Sequence, residues 1–335
     1  MRKVTIKDVA REANVSYATV SRSLSGSPEI SEETRARVLK ICEEMGYTPN
    51  YIARSMVAQN TKVLGLIVAH INNPFMSEIA YHVEATARKR GYNIMLCNSS
   101  HDLALEKEVF SLMIGRQVDG VIIMPCKRET YENLKPLLDK TPTVFISENL
   151  KDLPESYVAV DNFRGTYIGM EYLYELGHRK ICYFGNRQSS TTHALRVQGY
   201  KQACTNFGLT PMISSNPYSS STIAHGYKLA LELFAKERNY TAIVAATDTM
   251  ALGVLQAADE MGVDIPKDIS LLGFDNINFT ELPKINLSTI EQPKKAMATA
   301  AVDMLIDKIN NPQSGYSHRI LMPTLIRRKS CLDIK

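Results

Sequence analysis

Seven histidines are the first candidates for chemistry in this chain, and their spacing supports none. His70, His82, His101, His178, His193, His225 and His318 form no cluster at metal-ligand spacing and read as surface or loop residues. No GxSxG nucleophile elbow and no phosphate-cradling P-loop is present. Six cysteines, Cys42, Cys97, Cys126, Cys182, Cys204 and Cys331, lie far apart without a CxxC pair, which fits reduced thiols rather than a disulfide frame or a zinc site. No catalytic group, metal or cofactor is therefore expected, and non-covalent recognition remains. Charge favours one kind of partner locally. The chain carries 39 Lys+Arg against 35 Asp+Glu, a net +4. Within residues 1–28, however, Arg2, Lys3, Lys7, Arg11 and Arg22 face only Asp8 and Glu12, an excess compatible with a polyanion.

The elements that must carry this excess are short helices. Thr5 as N-cap with Asp8 three residues on forms a capping-box-like pair before Val9 and Ala10. This helix ends near Ala13, and Asn14 and Val15 make a tight connection. Ser16 then caps a helix from Tyr17 to Leu24, which the stretch Ser25 to Pro28 stops. Ser31 opens a third helix with Glu32 and Glu33 in its first turn; Val38, Ile41, Cys42 and Met45 stripe one face, and Gly46 closes it. A helix-turn-helix with a supporting helix is the geometry that delivers its second helix into a DNA major groove.

Asn50 to Ala58 is too short for an independently stable helix and reads as linker or conditional helix. From Thr61 the pattern turns to apolar strands alternating with amphipathic helices, the mark of a parallel α/β sheet. Strands are expected at Val63–Ala69, Asn93–Cys97, Val121–Met124, Thr143–Ile146, Lys180–Phe184, Ala242–Ala246 and Ser270–Phe274, with helices closing on Gly91, Gly177, Gly208 and Gly262. VDGVIIMP from Val118 has a counterpart in YTAIVAAT from Tyr240, so two similar lobes should face one another across a cleft lined by the loops after their strands. A length of 335 residues with 44% hydrophobic, 22% charged, 17 Gly and 14 Pro excludes collagen-like, low-complexity and disordered readings. The apolar stretches are far below the roughly 20 residues that span a bilayer. The charged N-terminus lacks a secretory signal, so the chain is expected in the cytosol without membrane contact.

VTIKDVAREANVSYATVSRSLSGSPEISEETRARV, then MGYTPNYIARSM and NTKVLGLIVAHINNPF, closely resemble the lactose repressor/galactose repressor (LacI/GalR) family. The resemblance continues through VDNFRGTYIGMEYLYELGHRKICYFG, ALRVQGYKQA, ATDTMALGVLQA and DISLLGFDN. It implies an all-α helix-turn-helix head, a hinge helix, and a two-lobed doubly wound parallel-sheet sensor like the type I periplasmic sugar-binding proteins. Base readers implied on the second helix are Tyr17, Ala18 and Arg22. Arg22 offers a fork to a guanine edge, Tyr17 a ring and hydroxyl, and Ala18 close approach or a thymine-methyl contact. Ser16, Thr19, Ser21 and Asn50 suit phosphate contacts, and Thr5, Ala53 and Arg54 join the DNA-contacting set. Met56 takes the place of the minor-groove wedge, where many members carry leucine.

For the cleft, the resemblance carries over Arg196, Asp248 and Asp275 as contacts to a small polar effector. Phe75 offers an apolar wall, and Glu148 and Asp161 end other strands on the same side. Two departures bear on the ligand. Thr247 stands where the family often has Asn, and near Ser221 only Tyr218 is available where many relatives place a stacking aromatic.

The chain thus reads as a DNA-binding transcription regulator and repressor of carbohydrate-related genes, not an enzyme, with a sugar or sugar phosphate as the leading effector class. Expected boundaries are 1–48 for the head, 49–60 for the hinge and 61–335 for the sensor. Lobe one takes 61–160 plus 291–320, and lobe two takes 161–290 plus 321–335. Without leucine heptads after LIRRKS, a homodimer is the simpler assembly, on double-stranded operator DNA. A phosphocarrier protein as corepressor stays an open partner. The rival reading is a sugar-binding transport protein, which the sensor alone would fit.

Overall fold

The computed structural model describes residues 4–25, 27–47, 60–125, 127, 129–147, 154–185, 190–214, 221–236 and 239–335, and the chain divides into two units between Thr61 and Lys62. Asn50, Ala53, Arg54, Met56, Glu148 and Tyr218 lie outside the described residues, as does nearly all of the expected hinge.

In the first unit, local capping decides the three helices α1 (Ile6–Glu12), α2 (Tyr17–Ser25) and α3 (Glu32–Glu44). The backbone N–H and the hydroxyl of Thr5 both donate to Asp8 Oδ2, at 2.9 and 2.6 Å. Asn14 turns the chain at φ 50, left-handed backbone that asparagine tolerates better than most residues. Ser16 Oγ then accepts the Thr19 N–H at 3.0 Å, and Ser31 Oγ the Thr34 N–H at 3.3 Å. Val9, Ala10, Ala13, Val20, Val38 and Cys42 close a small core between the helices.

The second unit contains two six-stranded sheets. The first has the order β2 (Asn93–Asn98), β1 (Val63–Val68), β3 (Gly120–Ile123), β4 (Thr143–Ile146), β5 (Ser156–Val160) and β11 (His318–Leu321). The second repeats it as β7 (Met212–Ser214), β6 (Ile181–Phe184), β8 (Ala242–Ala245), β9 (Ser270–Asp275), β10 (Ser288–Glu291) and β12 (Thr324–Ile326). All pairings are parallel except β10 with β12. VDGVIIMP and YTAIVAAT contain β3 and β8, which occupy the same slot in the two sheets.

Helices cover both faces of each sheet, which is why the central strands are continuous apolar runs. Leu64, Leu66 and Val68 of β1 pack beneath α4 (Pro74–Lys89) and α11 (Lys294–Asn310). Ile67 points the other way, toward Phe110 and Met113 of α5 (Leu103–Gly115) and Leu134 of α6 (Thr130–Leu138). The second sheet is flanked by α7 (Asn162–Glu175), α8 (Thr191–Phe207), α9 (Ile223–Phe234) and α10 (Asp248–Met261). Gly208 and Gly262 end α8 and α10 at φ 65 and 66, the left-handed stop expected of them.

The chain passes between the sheets at residues 160–162, 291–294 and 321–324. The seven expected strands are all present, shifted by a residue or so at their ends; β5, β7, β10, β11 and β12 were not anticipated. β7, β11 and β12 are exposed edge strands of three or four residues. β5 and β10 are central but begin with Ser, and polar Ser–Thr starts mask a buried strand. No described helix is long and apolar enough to cross a membrane.

Candidate functional site

On α2 the capping serine fixes which side chains turn inward. Val20 is buried in the head core, while Tyr17 is 52% exposed and Ala18 is also exposed. At about 100° per residue, Tyr17, Ser21, Ala18 and Arg22 fall within roughly 140° of one side. The Arg22 guanidinium stands 3.4 Å from Glu29 in an exposed pair, a contact weak enough to exchange for another acceptor. The hydroxyls of Ser16 and Thr19 lie 2.9 Å apart at the helix start, and Thr5 is engaged with Asp8, so Thr5 and Ser16 also cap their own helices while Thr19 is tied to its capping serine.

In the second unit a cleft of about 970 Å³, including its open mouth, lies at the carboxyl ends of both sheets. Eight strand ends contribute: His70 after β1, His101 after β2, Lys127 after β3, Ser147 after β4, Ser221 after β7, Thr247 after β8, Asp275 at the end of β9 and Gln292 after β10. Phe75 lines it from the start of α4, and His193 and Arg196 from the first turns of α8.

Arg196 and Asp275 meet on the floor, 3.5 Å apart and nearly buried. Arg196 Nε donates to Asn162 Oδ1 at 2.8 Å, Nη1 donates to the Ala246 carbonyl, and its guanidinium carbon lies 3.6 Å from the centre of the Phe274 ring. Three of its five N–H groups thus have partners in the fold. Asp275 Oδ1 also accepts Gln292 Nε2 at 2.7 Å. Its backbone sits at φ 125, a conformation disfavoured for a residue with Cβ and held here by neighbouring bonds. Burial pushes the Asp275 carboxyl up and the Arg196 guanidinium down, and each group's charge opposes the other's shift.

Two expected contacts are placed elsewhere. Asp248 is fully buried behind the cleft wall, where Oδ1 accepts the Thr289 hydroxyl at 2.6 Å and Oδ2 the Ile277 N–H at 3.0 Å. Asp161 caps α7 by accepting the Arg164 N–H at 2.8 Å and does not line the cleft. In each case a neighbour in sequence serves the site: Thr247 lines the cleft, and Asn162 steadies Arg196. The Thr247 hydroxyl accepts the Met250 N–H and lies 3.0 Å from Thr249 Oγ1, so it caps α10 as well as lining the cleft.

The expectation of surface or loop histidines holds for His70 and His101, loop residues that line the cleft; it is corrected for His193, which lines the cleft from a buried position in the first turn of α8. His178 is buried between Thr241 Oγ1 at 2.8 Å and the Leu332 carbonyl at 3.1 Å, a structural position. The signal for His70 and His101 was available, since each follows the carboxyl end of an expected strand.

Residues 5–50 match the family described as bacterial regulatory proteins, lacI family, and residues 170–331 match the periplasmic binding protein-like domain. Over 335 residues the chain is 32% identical to the ribose operon repressor of Haemophilus influenzae, covering 99% of each protein. This chain belongs to the lacI family. Its fold matches the lac repressor dimer bound to operator and the anti-inducer ONPF, with a TM-score of 0.89 at 24% identity over 99% of this chain and 100% of that one. It also resembles the transcriptional regulator CelR in complex with cellobiose, with a TM-score of 0.73 at 26% identity over 98% and 100% of the two chains. As a lacI-family protein it is a DNA-binding transcriptional regulator with an effector-binding sensor, not an enzyme. Family membership over the full length sets aside the transport-protein reading.

Proposed function

We propose that this lacI-family regulator acts in the cytoplasm as a homodimeric repressor of carbohydrate-related genes, released or engaged by a sugar-class effector. The observation that carries the reading is the Arg196–Asp275–Gln292 cluster on the cleft floor, a charge-assisted set of donors and acceptors suited to hydroxyl-bearing ligands. A repressor of a ribose operon and a regulator bound to cellobiose are among the chain's relatives, which supports a sugar. Residues 1–48 form the head and 49–60 the hinge, with Met56 as wedge and Asn50, Ala53 and Arg54 at the backbone. In the sensor, 61–160 plus 291–320 form one lobe and 161–290 plus 321–335 the other. Tyr17, Ala18 and Arg22 read base edges. Ligand between the lobes changes the population competent for DNA, because it favours one lobe arrangement over the other.

Calorimetry with the sugar retained by the purified protein tests the cleft. Arg196→Ala and Asp275→Ala are each expected to weaken binding at least about tenfold, since a charge-assisted bond contributes roughly 1.5 to 3 kcal/mol. Operator affinity without ligand should equal the wild type's, since the head is untouched. Unchanged sugar affinity in both folded variants would remove the assignment.

A further inference from the structure

We infer that the half of the cleft built by the first sheet is an anion subsite, and that the effector it accommodates is a phosphorylated sugar. The inference deepens the proposed function and rests on the cleft being the effector site. It starts from topology. Strand order in the first sheet runs outward in opposite directions from β1 and β3, and in open α/β sheets such a reversal is where ligands collect. The loops after the three adjacent strands β2, β1 and β3 deliver His101, His70 and Lys127 to the cleft.

The cluster is held together. The rings of His70 and His101 lie 5.6 Å apart, centre to centre. The His101 N–H donates to the Ala69 carbonyl at 3.1 Å, and the Ile71 N–H to Asn98 Oδ1 at 2.9 Å, so the two loops are stitched across β1 and β2. His101 is kept at φ 59 by these contacts. Beside them α4 starts on the cleft wall at Asn73; its first N–H groups are capped by Asn73 Oδ1, and Pro74 has none, so this helix start contributes its dipole rather than direct donors. The Lys127 charge reaches this corner: it helps hold the Asp102 carboxyl below its usual range, after the Leu105 and Ala104 N–H groups that Asp102 caps.

The two halves of the cleft therefore differ in kind. On the second-sheet side, Arg196 is matched by Asp275 and shares the lining with Gln292, Ser221, Thr247 and the single imidazole of His193, which lies 3.3 Å from the Ser221 hydroxyl, groups that suit sugar hydroxyls. On the first-sheet side stand a lysine and two imidazoles. Among the described lining residues, Asp275 is the one carboxylate, and it faces Arg196. A phosphate monoester, with three acceptor oxygens, matches the ammonium and imidazole donors, and its sugar then extends toward Arg196 and Asp275.

Inorganic phosphate, glucose 6-phosphate, glucose and gluconate serve as probes of the full chain, by thermal shift and calorimetry at matched ionic strength. Phosphate should raise the melting temperature where chloride does not, and glucose 6-phosphate should bind at least about tenfold more tightly than glucose. Lys127→Met and His101→Asn, the latter because asparagine tolerates left-handed backbone, should each abolish the phosphate effect. Arg196→Ala should keep the phosphate effect and lose the contribution of the sugar. Phosphate behaving as chloride in the wild type, or a phosphate effect intact in both subsite variants, would overturn the inference. Gluconate binding as tightly as glucose 6-phosphate would overturn the choice of phosphate. Glucose binding that equals glucose 6-phosphate and is lost only in the Arg196 and Asp275 variants would overturn the subsite while leaving the sugar-effector reading standing.

Discussion

A single buried carboxylate, Asp248, shows how far a residue's role depends on a turn of helix. Burial raises its pKa above the ordinary carboxylate value, and the nearby Asp275 charge raises it further, against the Thr289 and Ile277 hydrogen bonds. A raised value in the fold means the proton is bound more tightly there than in the unfolded chain. Its contribution to stability is therefore full below the unfolded value of about 4 and is lost as pH rises through the raised one. Asp248→Asn can still accept the Ile277 N–H and donate to the Thr289 hydroxyl, which rotates to suit. The variant should lose this part of the pH dependence. Between the unfolded and the raised value it should gain on the wild type by about 1.4 kcal/mol as the pH rises by one. Melting temperatures of both proteins from acid to mildly alkaline pH decide it, and parallel curves would reject it. The sequence motif ATDTMA located a strand end facing the cleft, but neighbouring residues in a first helical turn point about 100° apart. Thr247 therefore faces the cleft while Asp248 turns into the wall, and in VDNF Asn162, not Asp161, reaches Arg196. The place of Arg196 and Asp275 in the cleft was legible through the family resemblance of two separate stretches, ALRVQGYKQA and DISLLGFDN, whereas their pairing was not, since the two lie far apart in the chain. His70 and His101 were discounted because linear spacing does not reveal that parallel strands bring distant loops together.

Between elements, close helix packing positions the second-sheet wall of the cleft. α9 begins just after Ser221 and Thr222, which line the cleft, and packs against α10 where Gly253 lets the two backbones approach. A Cβ on Gly253 would stand 2.4 Å from both the Ile223 carbonyl oxygen and the Tyr227 nitrogen, backbone atoms that cannot step aside as a side chain can. Gly253→Ala should therefore destabilise by about 1 to 3 kcal/mol through overpacking, and weaken effector binding by moving the start of α9. Gly115, the last residue of α5, has nothing within 4 Å of its would-be Cβ. Gly115→Ala should be neutral or stabilise by up to about 1 kcal/mol. Denaturant titrations that gave the two variants equal stability would contradict this account of α9–α10 packing. The long apolar strands and the capped helices were readable because each carries its own periodicity and punctuation. β5 and β10 were not, since Ser156, Ser288 and Thr289 are buried only through the neighbouring strands and helices, which no short window contains.

At the scale of the whole sensor, the two sheets are joined by side chains as well as by the three chain crossings. Lys294, buried at the second crossing, stands 3.2 Å from Glu78 Oε2 on α4 and donates to the carbonyls of Asp275 and Asn276. Glu78 Oε1 accepts the Asn278 N–H at 3.0 Å. The strand end and loop that bring Asp275 to the cleft floor are thereby fastened to a helix of the other sheet. The Thr192 hydroxyl makes a second bridge, donating to the Ser147 carbonyl at 2.7 Å. These contacts could not be paired from sequence, because Glu78 and Lys294 lie far apart in the chain and neither belongs to a motif. Bonds that span two bodies favour one arrangement of them, so weakening such a bond shifts the balance between arrangements on which a ligand response depends. Glu78→Gln can still accept the Asn278 N–H through its amide oxygen but loses the ion pair with Lys294, whose carbonyl partners remain. The fold should survive, and the ratio of operator affinities with and without saturating effector should change by about 0.5 to 2 kcal/mol, roughly two- to thirtyfold. Operator affinity in the absence of effector can move in either direction, according to which arrangement binds DNA, so the ratio is the informative quantity. Anisotropy titrations of labelled operator with wild type and variant measure it, and an unchanged ratio in a folded Glu78→Gln protein would show that this clasp holds the lobes without taking part in their communication.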